Sequence, residues 1–391
     1  VSARLAPATD RLLDWRPEFP TVESNLHFIS HSLGAMPRGA EESLRRYTDA
    51  WKSRSIRAWE EQWMEVPAAL GDTLATLLHG APGSVSIHPC TTLAEASALS
   101  ALDFAPPRNR LVCTAEDFPS MLYLYEGLAR RGIEVVRVPA RTARQIHEDD
   151  IVAAIDERTA VVAISLVLFR TSQVLDPRPV IRRAHDVGAL VMLDAYQAVG
   201  SVPVDVAALD VDLLAGGTIK WLCGGPGVGY LYTAPRVAPR LEPALTGWFG
   251  HQQPFEFDSG PMRWAEGPRR FQSGTPAIPA MLAARPGVEI VTKIGAPAIR
   301  EKSLRLSERM IGWADELGVR VVSPREPDVR GGTVVLDVPN SEAVCRALLA
   351  SDVLLDHRPG VGIRLAPHFY TREDEVDRAM QRVGEALRRN P

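Results

Sequence analysis

Residues 189–216 read ALVMLDAYQAVGSVPVDVAALDVDLLAG. Two short apolar runs, ALVMLD (189–194) and VDLLAG (211–216), bracket a polar, turn-bearing middle. Neither run alternates apolar with polar residues, which is the pattern of a strand covered on both faces. The same signature recurs outward in both directions: RLVCT (110–114), IEVVRV (133–138), AVVAISLV (160–167) and GVGYLYT (227–233). Between them PSMLYLYEGLARRG (119–132) and PRPVIRRAHDVG (177–188) have helical spacing. Strand and helix in alternation predict an α/β fold, a mainly parallel sheet wrapped by helices. Ligands of such sheets bind beyond the carboxyl ends of the strands.

At 391 residues the chain exceeds one ordinary core. Pro/Gly-rich connections at 254–268 and 274–279 precede a helix near 296–316, strands near 333–338 and 361–365, and an amphipathic helix at 372–389. These predict a smaller α+β domain. Residues 1–59 show no parallel-sheet unit and are expected to pack with it. The expected division is a large domain over 60–265 and a small one from 1–59 with 266–391. Net charge is −4, which gives no electrostatic case for nucleic acid or an anionic membrane. The N-terminal VSARLAPATDRLLDW lacks the apolar centre of a leader, and no apolar run reaches membrane-spanning length. Cys90, Cys113, Cys223 and Cys345 are far apart and form no CxxC pair, so neither a disulfide framework nor a metal site is expected. That usage fits a reducing cytoplasm.

The stretch GGTIKWLCGGPGVGYLY (216–232) holds one cation, Lys220. Only four of the 44 basic residues are lysine: Lys52, Lys220, Lys293 and Lys302. A chain that otherwise uses arginine places lysine where arginine cannot serve. A desolvated lysine loses its proton and becomes a nucleophile; arginine does not. The plainer alternative is a strand-end lysine whose amine reaches water. Asp194 ends ALVMLD, at the ligand edge of the sheet or as a helix N-cap. An acid and a lysine facing one cofactor suggest pyridoxal 5′-phosphate: lysine for the Schiff base, acid for the pyridine nitrogen. SIHPCTTLAEASALSAL (86–102) runs into a helix at Thr91 and Thr92, an anion cradle or an ordinary threonine cap. GGPGVG (224–229) lacks Walker order and reads as a tight turn into a strand.

With these residues in view, most of the chain resembles the fold-type I pyridoxal-phosphate enzymes of the class V aminotransferase group, in the kynureninase-like branch. The resemblance rests on the Asp194–Lys220 separation in LDAYQAVGSVPVDVAALDVDLLAGGTIKWLCGGPGVGYLY, on TGWFGHQQPFEFD (246–258), EDFPS (116–120) and GIRLAP (362–367), and on FISHSLGAMPRG near residue 30. It implies a large domain with a seven-stranded, mainly parallel sheet, a smaller α+β domain, and a homodimer acting on a small-molecule amino-acid substrate. It also implies roles. Lys220 carries the Schiff base and moves protons, and Asp194 pairs with the pyridinium. Phe118, otherwise a core aromatic, stacks on the ring. Cys90 and Thr91 hold phosphate, and Gln197 donates to the ring oxygen as glutamine does in the relatives' DGAQA. Trp248 and Thr275 reach the phosphate region, Thr275 from a second subunit. Arg364, otherwise a structural ion pair, grips the substrate carboxylate. His31, Ser32 and Gly274 face the substrate.

Several positions depart from the kynureninase pattern; Ile219 leaves one phosphate hydroxyl missing, the cofactor chemistry survives, and recognition of kynurenine is what the departures touch. Ile219 stands where a tyrosine precedes the lysine, Gln197 where histidine is usual, and Gly274 where an asparagine lies near the substrate's aromatic ring. The GH-containing loop is not recognisable in WKSRSIRAWEEQW (51–63). Kynureninase-type Cβ–Cγ hydrolysis is the leading expectation. Transamination, β-elimination, epimerisation or decarboxylative oxidation on another amino acid is the alternative, and a non-catalytic cofactor binder a third. A cysteine desulfurase is disfavoured, because no cysteine lies near Arg364 and Cys345 falls in the helical SEAVCRALLAS (341–351).

Overall fold

The apolar runs form a seven-stranded sheet in the computed structural model, which describes residues 10–389. Residues 1–9 and 390–391, which hold part of the N-terminal stretch and the outer ends of the expected small domain, lie outside the described residues. The strands are β1 (Val85–His88), β2 (Arg110–Thr114), β3 (Glu134–Val138), β4 (Thr159–Ser165), β5 (Leu190–Asp194), β6 (Leu213–Gly217) and β7 (Gly229–Thr233). Their order is β1-β7-β6-β5-β4-β2-β3. From β6 to β3 every neighbour is parallel; β7 runs antiparallel to both β6 and β1.

Parallel neighbours need crossovers; the two predicted helices provide those from β2 to β3 and from β4 to β5, and short helices at Glu148–Ala153 and Val206–Leu209, not predicted, lie in the other two. α1 (Arg38–Arg54) and α2 (Val66–Leu77) precede the sheet; α3 (Thr91–Leu99), α4 (Pro119–Ala129) and α5 (Pro177–Asp186) lie between its strands. The Asp176 carboxylate accepts from the Arg178 N–H at 3.1 Å and Pro177 occupies the first turn, so α5 starts where local chemistry favours it. Its chain turns out at Gly188, φ 74°. AVVAISLV leaves the ladder at Ser165, earlier than the apolar run predicts. Val167 instead bridges Val174 across a tight turn that holds Ser172 at φ 63°.

Val161, Val162, Val191, Leu193, Leu213 and Leu214 are fully buried in the first of two apolar cores. Each such side chain contributes roughly 1.5–3 kcal/mol on leaving water. The later elements are α6 (Ile278–Ile294), α7 (Ala296–Glu316), α8 (Ser341–Leu349) and α9 (Glu373–Arg389), with β8 (Arg320–Val321), β9 (Val334–Asp337), β10 (Asp356–Arg358) and β11 (Gly362–Leu365). The four strands pair antiparallel in the order β10-β11-β9-β8. Leu306, Met310, Val334, Ile363, Val376 and Met380 make the second core. Ile278, Met281 and Val288 of α6 belong to the first core, as do Ala35, Ala50 and Ala58; Leu26 and Phe28 belong to the second. Leu26 and His27 pair parallel with Val353 and Leu354, and Ile29 bridges Ala366. That stitch sets residues 30–34 between the two cores.

Candidate active site

β5 and β6 are parallel neighbours, with Asp194 opposite Ala215. Both therefore end at the same edge, Asp194 on the last residue of one strand and Lys220 just past the end of the other. The turn carrying Lys220 is pinned: Cys223 N–H donates to the Lys220 carbonyl at 3.0 Å, Gly224 N–H to Thr218 at 2.8 Å, and Gly34 N–H to Ile219 at 2.8 Å. The amine lies between two aromatic rings, 4.0 Å from the Tyr196 centroid and 5.6 Å from that of Phe118. Burial lowers the Lys220 pKa to about 8, with Arg364 and Arg358 assisting and Asp194 opposing. Burial also raises Asp194, against the Tyr196 N–H bond at 2.8 Å and the Lys220 charge.

The lysine's setting has a direct consequence. Only the neutral amine attacks a carbonyl, so in the cofactor-free protein trapping by a neutral aldehyde and borohydride should speed up about tenfold per pH unit below pH 8 and level above it. An ordinary lysine would keep accelerating beyond pH 10. Mass spectrometry of the Lys220 peptide across pH measures this, and a plateau only above about pH 10 would contradict it.

α3 begins at the same edge. Cys90, its extended N-cap residue, makes no side-chain cap bond. The Thr91 hydroxyl donates instead to the Gly216 carbonyl at 2.8 Å, tying the helix start to β6. The first-turn N–H groups are thus left without a side-chain acceptor, the arrangement that receives an anion. The turn GGPGVG does lead into a strand, and its last glycine is needed for close approach. A Cβ on Gly229 would lie 2.3 Å from the Cys90 carbonyl carbon and 2.6 Å from the Thr91 nitrogen. An uncapped helix start, a deprotonatable amine and a buried carboxylate on one sheet edge fit pyridoxal phosphate.

Phe118 sits just before α4, half-exposed, its ring edge-on to Phe169 at 5.0 Å. Gln197 is buried; its amide nitrogen donates to the His31 carbonyl at 3.0 Å and its oxygen accepts from the Trp221 indole at 3.0 Å. One amide hydrogen remains for another acceptor. Arg364 lies on β11 directly opposite Asp356 on β10. Asp356 takes Arg364 bidentately at 2.8 and 2.7 Å, Arg358 at 3.0 Å, and His31 Nε2 at 2.9 Å. Burial works against the Asp356 charge, yet the His31 and Arg364 bonds bring its carboxyl well below the usual carboxylate range. Burial, aided by Arg364, pulls His31 down to about 3, so a neutral imidazole meets that carboxylate at neutral pH. The third Arg364 nitrogen donates to the Phe169 carbonyl at 2.6 Å. Ser32 is half-buried beside His31 in the stitched loop.

Trp248, Thr275 and Gly274 occupy an exposed strip. Trp248 meets Phe249 and Phe255 edge-on and stacks on Phe257 at 5.8 Å, while Phe249 N–H donates to the Ser273 carbonyl at 3.3 Å. The bonds that gather His31, Gln197, Asp356 and Arg364 near Lys220 do not extend to this strip.

A family model described as aminotransferase class-V matches residues 48–365. The chain belongs to the class V aminotransferase family. Its relatives place it in the kynureninase-like branch. It is 31% identical over 384 residues to a kynureninase of Bacillus thuringiensis subsp. konkukian, covering 94% of this chain and 89% of the relative. It is 30% identical over 396 residues to a kynureninase of Pseudomonas fluorescens, covering 98% and 94%. Among solved structures, a cysteine desulfurase of Thermococcus onnurineus NA1 superposes with a TM-score of 0.85 at 20% identity, over 99% of this chain and 100% of that one. A cystine C–S lyase in complex with cysteine persulfide superposes with a TM-score of 0.85 at 23% identity, over 94% and 99%. Both share the fold-type I architecture of this class V enzyme, whose cofactor is pyridoxal phosphate.

Two residues near Lys220 escape the sequence reading. Asp356 sits in an unremarkable LLDHRPG, and only the β10–β11 register reveals that it faces Arg364. Tyr196 was legible in principle, as the bulky member of DAYQA two positions after Asp194.

Proposed function

We propose that this enzyme hydrolyses the Cβ–Cγ bond of kynurenine or a close relative, using water to release alanine and an aromatic acid. The observation that carries the reading is the lysine near its neutral point at the sheet edge, beside Asp194 and the uncapped start of α3. Kynureninase relatives that align along nearly the whole chain support the choice of substrate. When bound, pyridoxal phosphate supplies an electron-withdrawing ring that stabilises negative charge at the substrate Cα.

The chain's own groups do the rest. Lys220 takes and returns protons at Cα. Asp194 holds a proton on the ring nitrogen. Phe118 covers one face of the ring, and the free Gln197 amide hydrogen donates to the ring oxygen. The Cys90 and Thr91 N–H groups receive phosphate, with Trp248 and Thr275 completing that region in a homodimer. Arg364 keeps one N–H on each terminal nitrogen for the substrate carboxylate, with Asp356 and the Phe169 carbonyl fixing its plane. His31 and Ser32 face the side chain, and Gly274, next to Thr275 on the exposed strip, joins them only from the second subunit. Four free thiols suit a reducing cytoplasm.

A second reading is chemistry on another amino acid: transamination, β-elimination, epimerisation or decarboxylative oxidation. Gly274 and Gln197 favour it, since they stand where the resemblance places an asparagine and a histidine, while Lys220 and Asp194 are kept. Purified enzyme with kynurenine and 3-hydroxykynurenine decides between them. Release of anthranilate or its hydroxylated form is the expected result. No release, together with a change in the cofactor's visible absorption on adding another amino acid, would replace the first reading with the second. No spectral response to any amino acid would leave a non-catalytic binder.

A further inference from the structure

Tyr196 has no role in the reading above, yet it is the side chain that approaches Lys220 most closely among the recorded ring contacts. Its backbone is fixed by the N–H bond to Asp194 at 2.8 Å. Its ring lies 4.0 Å from the amine. The phenol end lies flat on the last residue of β6: a Cβ on Gly217 would stand 2.8 Å from the phenol oxygen and 2.7 Å from the ring. Only glycine admits the ring there. The Thr91 side chain interacts with the same phenol. The hydroxyl therefore sits between the end of β6 and the uncapped start of α3, where first-turn N–H groups await an anion.

We propose that Tyr196 is a cofactor-binding residue whose phenol donates a hydrogen bond to the phosphate of pyridoxal phosphate, beside the Cys90 and Thr91 N–H groups. The proposal rests on the pyridoxal-phosphate reading of the site and adds a residue to it. The residue immediately before Lys220, Ile219, has no hydroxyl to offer, so the phenol comes from the neighbouring strand end. Burial, with the Asp194 charge, holds this phenol at about 12, so it remains an O–H donor throughout the neutral range. A neutral donor suits a phosphate that the helix start already attracts.

The test compares two ligands on the cofactor-free protein: pyridoxal phosphate and pyridoxal, which lacks the phosphate. Equilibrium titration by protein fluorescence needs no turnover. Tyr196→Phe keeps the ring against Lys220 and Gly217 and removes only the hydroxyl. It should weaken pyridoxal phosphate about tenfold and leave pyridoxal within about twofold. Inorganic phosphate should also compete less well against pyridoxal phosphate in the variant. Equal weakening of both ligands would assign Tyr196 to ring packing and overturn the proposal, as would unchanged affinity for the phosphorylated ligand. Failure of the wild type to bind either ligand would instead overturn the cofactor reading.

Discussion

Lys220→Ala is expected to fold, to bind pyridoxal phosphate without a covalent bond, and to lose activity by about 10⁴-fold or more. Two functions disappear with one amine, the attachment point and the proton carrier at Cα. The fold should survive because the site tolerates the ammonium poorly. The folded pKa, about 8, lies below the ordinary 10.5. The charged form therefore costs stability, a cost that grows as pH falls from 10.5 to 8 and is constant below. Removing the amine removes that cost, against the smaller loss of its packed stem. The measurements are borohydride reduction followed by peptide mass spectrometry, and the melting temperature at pH 7. A reducible cofactor–protein bond that persists in the variant would disprove the assignment of Lys220.

Asp194→Asn should leave covalent attachment intact and slow turnover about 10²–10³-fold. The amide oxygen can still accept from Tyr196 N–H, so the local backbone is kept. What is lost is the negative charge that holds a proton on the ring nitrogen. The same charge pulls the Lys220 pKa upward against burial. In the cofactor-free variant, neutralising it should move the midpoint of Lys220 labelling below pH 8, in the direction of faster labelling at neutral pH. Slow turnover together with that acid shift would mark an electrostatic role. A variant with full activity, or a midpoint that rises, would remove Asp194 from the site.

The strands were legible because both faces are covered, which leaves an unbroken apolar run as the signature: ALVMLD and VDLLAG became β5 and β6 nearly residue for residue. Strand ends in a parallel sheet are ligand positions whatever the ligand. Asp194 and Lys220 could therefore be singled out before any contact was known. The Asp356–Arg364 pair could not, because it depends on the register between two short antiparallel strands, a non-local choice that no single stretch declares. The same holds for the Gln197 bonds to His31 and Trp221, which join three distant segments. Tyr196 stands two positions after Asp194, but a tyrosine in a loop is usually a packing residue. Only its seat on Gly217, beside Thr91, gives it another meaning.

The pairing of Leu26–His27 with Val353–Leu354 joins two segments far apart in the chain. Closing so long a loop costs stability little, since its entropy grows only logarithmically, but it comes late in folding. During synthesis, the sheet and the Lys220 turn can form while the ribosome is still working. The seat of His31 and Ser32 beside Arg364 must wait for the last strands to emerge. Nascent chains arrested before residue 353 should therefore protect the sheet from protease, while the segment around His31 is still cleaved.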